Sequence, residues 1–93
     1  MINHRDIHAA DMENDPAYRE AYEALGPEFA LVTALVAARS RAKLTQAELA
    51  SRMGTTESAI SRLESGRAKP STRTLERYAD ATGHRLSIRL EPV

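Results

Sequence analysis

The sequence predicts an all-α domain of five short helices, closed by a single C-terminal β-strand. Three observations carry this. Apolar residues recur at helical spacing in five segments. Those segments are separated by glycine and proline punctuation at Gly26, Pro27, Gly54, Gly66, Pro70 and Gly83. Only residues 85–91, RLSIRLE, alternate strictly between apolar and polar.

Residues 1–14 hold few apolar side chains and show no period, so they are expected to be a flexible acidic arm. Asp15 and Pro16 then read as an N-cap and a first helical proline. The helix so opened carries Tyr18, Tyr22 and Leu25 at i, i+4 and i+7, and stops at Gly26. Pro27 opens a second helix, to about Ala42. Its broad apolar face comprises Phe29, Leu31, Val32, Leu35, Val36 and Ala38, and its cationic end Arg39, Arg41 and Lys43 favours the macrodipole.

Thr45 and Glu48 stand at capping-box spacing, so a third helix starts at Gln46, with Leu49, Ala50 and Met53 as its apolar stripe. Gly54 supplies the left-handed residue that ends it. Thr55 or Thr56 caps a fourth helix that runs to about Ser65 and ends at Gly66. Ser71 or Thr72 caps a fifth over about 73–82, with Leu75, Tyr78 and Ala79 facing inward and Gly83 at its end. In the strand, Leu86, Ile88 and Leu90 take one side and Arg85, Ser87, Arg89 and Glu91 the other. Nothing else in the chain reads as a strand, so its backbone groups need an external mate. The mate is the same strand in a second copy, about a two-fold axis, or a sheet edge on another protein.

The fourth helix has two chemically distinct sides. At ~100° per residue, Glu57, Ser58, Ser61, Arg62 and Ser65 fall within an arc of roughly 140°. Ala59, Ile60 and Leu63 lie opposite. Short hydrogen-bonding side chains let a helix backbone approach base edges. An arginine fork matches guanine O6 and N7, and a glutamate can accept from a cytosine amino group. The bland alternative, a solvated face, is weakened by the turn chemistry that precedes the helix. Two short amphipathic helices about a glycine turn form the arrangement in which the second helix reads the major groove.

Charge is divided along the chain. Net charge is zero. Within residues 1–28, Arg5 and Arg19 face seven acids, a balance of −5; within residues 39–77, nine cations face four acids, a balance of +5. The basic part can supply the field that attracts phosphates. The acidic part suits a basic partner protein. With 93 residues and no cysteine, the chain offers one small domain and no disulfide or thiolate metal site. No run of 18 or more apolar residues and no secretory leader occurs, so a cytoplasmic protein with no membrane association is expected. His4 and His8, with Asp11 nearby, lack a fourth ligand, so no metal is assigned. No nucleophile–base set or phosphate loop appears, so neither an enzyme nor a cofactor is expected.

Several stretches resemble the Cro/repressor-type, or XRE-like, helix-turn-helix family. They are L-T-Q-x-E-L-A at Leu44–Ala50, G-T-T at Gly54–Thr56, I-S-R-L-E-S-G at Ile60–Gly66 and K-P-S at Lys69–Ser71. The resemblance, over about residues 30–83, implies a five-helix lambda-repressor-like domain. It implies base reading by Thr56, Glu57, Ser58, Ser61 and Arg62. It implies phosphate contacts by Gln46, Ser65, Arg67 and Lys69, with Gln46 also bracing the reading helix. It implies an ion pair between Arg39 and Glu64, taken here as structural.

The wider layout resembles the HigA-type antitoxin branch of that family. The carrying residues are D-P-A-Y-R-E-A-Y-E-A-L at Asp15–Leu25, P-E-F-x-L-V-x-A-L-V-x-A-R at Pro27–Arg39 and G-H-R-L-S-I-R-L at Gly83–Leu90. This implies a bacterial, nucleoid-associated repressor of its own operon that neutralises a small basic RelE/HigB-like toxin. Asp11, Asp15, Tyr18 and Tyr22 are the candidate toxin contacts; for the tyrosines, packing within the subunit is the competing role. On this reading residues 1–14 are the arm, 15–28 the N-terminal helix, 29–83 the DNA-binding domain, and 84–93 the dimerising strand, through Leu86, Ile88 and Leu90. A stand-alone regulator without a toxin and a protein-interaction adaptor are the alternatives.

Overall fold

A computed structural model of the chain describes residues 16–93, with side chains from residue 26 onward. Its elements in order are α1 (Pro16–Arg41), α2 (Gln46–Met53), α3 (Glu57–Glu64) and α4 (Thr72–Ala81). There are thus four helical elements among the described residues where five were expected. The difference lies at Gly26, whose backbone is non-helical (φ 81°, ψ −168°) inside α1. The expected break is therefore a kink within one element. Its cause is local: Pro27 has no N–H to donate and restricts the residue before it, and glycine takes the positive φ without steric cost.

All four elements end in the same way. The residue two past the last full turn donates to a carbonyl five back, and its predecessor to one three back, which is a Schellman closure. For α2 the bonds run from Thr55 N to Ala50 O (2.9 Å) and from Gly54 N to Ser51 O (3.2 Å). For α3 they run from Arg67 N to Arg62 O (3.0 Å) and from Gly66 N to Leu63 O (3.4 Å), and for α4 from His84 N to Ala79 O (2.8 Å) and from Gly83 N to Asp80 O (3.2 Å). The left-handed residue is glycine in these three cases. At the end of α1 it is Lys43 (φ 61°), with Leu44 N donating to Arg39 O (3.2 Å) and Lys43 N to Ser40 O (3.0 Å). An L-residue with a Cβ pays a steric cost there that glycine avoids.

The starts of α2, α3 and α4 follow their predicted caps. Thr45 Oγ1 accepts from Glu48 N (3.0 Å), and Glu48 Oε1 accepts from Thr45 N (2.8 Å). Thr56 Oγ1 accepts from Ala59 N (3.1 Å), and Ser71 Oγ from Thr74 N (3.1 Å). Each bond satisfies a donor that the first turn would otherwise leave open.

One core unites the helices: Leu35 and Ala38 of α1, Leu49, Ala50 and Met53 of α2, Ile60 and Leu63 of α3, and Tyr78 of α4. α2 packs on both α3 and α4, and α1 packs on α3. The stripes expected for α2 and α3 supply much of this core. Among the described side chains of α1 only Leu35 and Ala38 are fully buried, while Phe29, Leu31, Val32 and Val36 remain half-buried.

Residues 84–93 form no regular element, and no strand occurs among the described residues. The strand expected at 85–91 is thus not present within one chain. The reason is elementary: a strand is defined by its pairing, and one copy offers this segment no second strand. Leu86 is half-buried, whereas Ile88 (60%) and Leu90 (97%) are exposed.

Candidate nucleic-acid interface

α2, the turn at Gly54 and α3 set one helical ridge outward. Ile60 and Leu63 pin α3 into the core. This leaves Glu57, Ser58, Ser61, Arg62 and Ser65 exposed along its other side, with Thr56 exposed at its start. The division matches the wheel: an eight-residue helix with one oily face can turn only the opposite face to solvent. The expected base-reading residues are therefore together and unobstructed by their own subunit. Thr56 also has a structural duty, because its oxygen caps α3.

The expected phosphate group divides in two. Arg67 and Lys69 are exposed, and neither has an ion pair among the described residues. Ser65 donates its hydroxyl to the Arg62 carbonyl (3.2 Å), and Gln46 donates Nε2 to Glu64 Oε1 (3.0 Å). Gln46 thus braces the end of α3, and its half-buried position leaves its other amide atoms available.

The centre of that bracing is Glu64, at the C-terminal end of α3. Its carboxylate accepts from Arg39 Nε (2.7 Å) and Nη2 (2.8 Å), from Gln46 Nε2 and from the Tyr78 hydroxyl (2.6 Å). One group on α3 is so tied to α1, α2 and α4 at once. Arg39 Nη1 additionally donates to the Leu44 carbonyl (3.0 Å), fastening the turn into α2. Burial by itself pushes the Glu64 carboxyl up, but the bonds from Arg39, Tyr78 and Gln46 outweigh it and hold the group below the usual glutamate range. The Tyr78 phenol is raised, first by burial and then by its bond to Glu64. Its single proton has a second acceptor in reach, the Leu35 carbonyl at 2.7 Å.

Two further arginines are committed to the fold. Arg77 of α4 donates to the Met53 carbonyl at the end of α2, and Arg52 of α2 donates to the Ala81 carbonyl at the end of α4 (3.1 Å). The two helices cap one another, each with a cation at the negative end of its neighbour. With Arg39, at least three of the nine cations of residues 39–77 bond within the domain. The balance of +5 is unchanged by this, because Glu64 is already counted among the four acids and the two carbonyl-bound arginines keep their charge. Sequence reasoning missed Tyr78 as a member of the Glu64 cluster, and missed both arginine caps. A tyrosine in an apolar stripe is the one signal that pointed to a buried hydroxyl in need of a partner.

Among the described residues, no group of three or more His, Asp or Glu is placed to hold a metal ion, and no helix is long and apolar enough to cross a membrane. His4, His8, Asp11 and Asp15 lie outside the described residues, as do the side chains of Tyr18 and Tyr22 and the arm over 1–14.

Residues 30–84 match the helix-turn-helix domain family. Two curated relatives are the antitoxin HigA1 proteins of Mycobacterium tuberculosis strains CDC 1551/Oshkosh and ATCC 25618/H37Rv. Each is 38% identical to this chain over 77 residues, which is 83% of this chain and 52% of the relative. The chain spans about half the length of these relatives. No solved structure matches it.

Proposed function

The chain belongs to the helix-turn-helix domain family, and on that premise we propose that it is a sequence-specific DNA-binding repressor and the antitoxin of a toxin–antitoxin pair. In this reading α3 enters the major groove. Glu57, Ser58, Ser61 and Arg62, with Thr56 at the helix start, meet base edges. Gln46, Ser65, Arg67 and Lys69 meet phosphates on either side and set the register without reading sequence. Two copies joined through residues 84–93 place their α3 helices in successive major grooves, about 34 Å apart, on a near-palindromic operator. The protein represses its own operon. It also binds a small basic RelE/HigB-like toxin through the acidic N-terminal part, with Asp11, Asp15, Tyr18 and Tyr22 as contacts. The named function of the HigA1 relatives supports the antitoxin role.

The observation that carries the DNA-binding reading is the outward polar ridge of α3, held in place by Ile60 and Leu63 beneath it and by Glu64 at its end. Expression with the adjacent reading frames, followed by mass measurement of the purified complex and selection of bound duplexes, tests the whole proposal. A co-purifying basic protein and one enriched palindrome are expected. Enrichment of DNA without a protein partner would make the chain a stand-alone regulator. A protein partner without DNA binding at any salt concentration would make it an adaptor, the reading that Glu57, exposed on the ridge and repelling phosphates, favours.

A further inference from the structure

The C-terminal segment leaves a linear apolar pattern uncovered. Ile88 and Leu90 are exposed beside half-buried Leu86, and they alternate with Arg85, Ser87, Arg89 and Glu91. Arg85 has no ion pair or hydrogen bond among the described residues. Among the described residues Glu91 meets only Arg89 of its own chain, at 3.4 Å, with both side chains mostly in water. The segment begins directly after the closure of α4 at Gly83 and His84, so its root is fixed to the domain.

We propose that this segment pairs antiparallel with the same segment of a second copy in one register, with Ile88 on the two-fold axis. The proposal rests on the dimeric reading above and adds its geometry. In that register Leu86 lies opposite Leu90 of the second copy, and Ile88 opposite its own counterpart. Arg85 lies opposite Glu91 of the second copy, and Ser87 opposite Arg89. Every apolar residue of 85–91 then faces an apolar one. The charged pair at each end is attractive, and each Glu91 sits between two cations.

No neighbouring register does this. An axis between two residues sets apolar side chains opposite polar ones. An axis on Ser87 puts Arg85 opposite Arg89. An axis on Arg89 brings two arginines together and sets Leu86 against Pro92. An axis on Leu90 leaves Leu86 unpaired and places Pro92, which has no N–H, within the ladder. An axis on Leu86 draws Thr82 into the strand, where it is already buried as the cap of α4.

The register matters for DNA. Moving the axis by one residue slides the two chains past one another by two, which is about 7 Å at ~3.4 Å per residue. That displacement matches about two base pairs at ~3.4 Å each. Residues 85–91 thereby determine which half-site spacing the pair of α3 helices accepts.

The chain has no cysteine, so single-cysteine variants report the register directly. Ser87→Cys, Ile88→Cys and Arg89→Cys are oxidised mildly and separated without reductant. Ile88→Cys is expected to cross-link fastest, because directly opposed residues on paired strands fall within disulfide reach. A mixture of Ser87→Cys and Arg89→Cys is expected to cross-link faster than either alone. In the cysteine-free background, Arg85→Glu and Glu91→Arg should each weaken dimerisation about tenfold, and the double variant should recover it, on the energies of two symmetric cross-strand pairs. A cross-linking maximum at 87 or 89, a dimer that cross-links at none of the three, or a double variant no better than the singles overturns the register and leaves dimerisation standing. A monomer by sedimentation at every accessible concentration overturns the dimeric reading itself.

Discussion

The guanidinium of Arg39 grips the carboxylate of Glu64 in a bidentate pair, at 2.7 and 2.8 Å, across 25 positions of sequence. The side chains are only 18% and 4% exposed. Removing one partner strands a charge that water reaches poorly. Arg39→Ala should therefore cost about 3 kcal/mol of stability in urea unfolding. The double variant Arg39→Met, Glu64→Leu should return to within about 1 kcal/mol of wild type. The Tyr78 hydroxyl then still has the Leu35 carbonyl as acceptor. A double variant as unstable as the single would show that the charges themselves are required.

The same cluster makes stability depend on pH at both ends. The folded carboxyl of Glu64 lies below its ordinary value of 4.5. Its contribution is therefore complete above about pH 4.5 and is lost as pH falls through the lower folded value. The Tyr78 phenol lies above its ordinary value of 10.0. Its contribution is complete below that pH and declines as pH rises beyond it. Thermal unfolding over roughly pH 2 to 12 should show the advantage of wild type over Glu64→Gln shrinking in acid. The advantage over Tyr78→Phe should shrink in alkali.

Lys43 and Gly54 hold the same left-handed conformation, one with a Cβ and one without. A Cβ built at Gly54 would meet nothing within 4 Å, so its substitution is penalised by backbone strain alone. Gly54→Ala should cost about 1 kcal/mol. Lys43→Gly should gain roughly 0.5 kcal/mol, the relief of strain less the added freedom of the unfolded chain. Denaturant midpoints that move in the same direction for both would refute this account.

On DNA, Arg62 and Lys69 should behave differently. Arg62→Ala should lose about 1–3 kcal/mol of operator affinity and relax discrimination at one base pair. Lys69→Ala should weaken every duplex alike and reduce the slope of log affinity against log salt by about one. Fluorescence titration at several salt concentrations separates the two effects.

Arg77 supplies the contrast. Its guanidinium donates to the Met53 carbonyl, although the residue is exposed. Arg77→Ala should lower stability by about 1 kcal/mol and leave the salt slope unchanged. A loss of slope equal to that of Lys69→Ala would mean that Arg77 reaches phosphate.

Much of this protein was legible in the order of its residues. Thr45, Glu48, Thr56 and Ser71 mark helix starts because a hydroxyl or carboxylate within three positions satisfies a free N–H. Gly54, Gly66 and Gly83 mark ends because only the backbone is involved. The buried side of α3, and hence its exposed ridge, follows from 3.6-residue periodicity. These are short-range facts, and sequence carries short-range facts. The break at Gly26 was legible too, because a glycine before a proline takes a non-helical backbone at φ 81° and parts the helical stretches on either side of it.

What tertiary structure decided was the use of long side chains. Arg39, Arg52, Arg77, Gln46 and Tyr78 reach partners 5 to 43 positions away. The stripe marked Tyr78 as buried, and the resemblance implied the roles of Arg39 and Gln46, but nothing local distinguishes Arg52 and Arg77 from Arg62, Arg67 or Lys69, which stay in water. A flexible side chain several carbons long is compatible with either fate. The choice is made only when folding brings a buried carboxylate or an open helix end within reach, where an unmet charge or carbonyl would be costly. The strand at 85–91 marks the other boundary: its alternation is written in the sequence, but the pairing that would make it a strand requires a second chain.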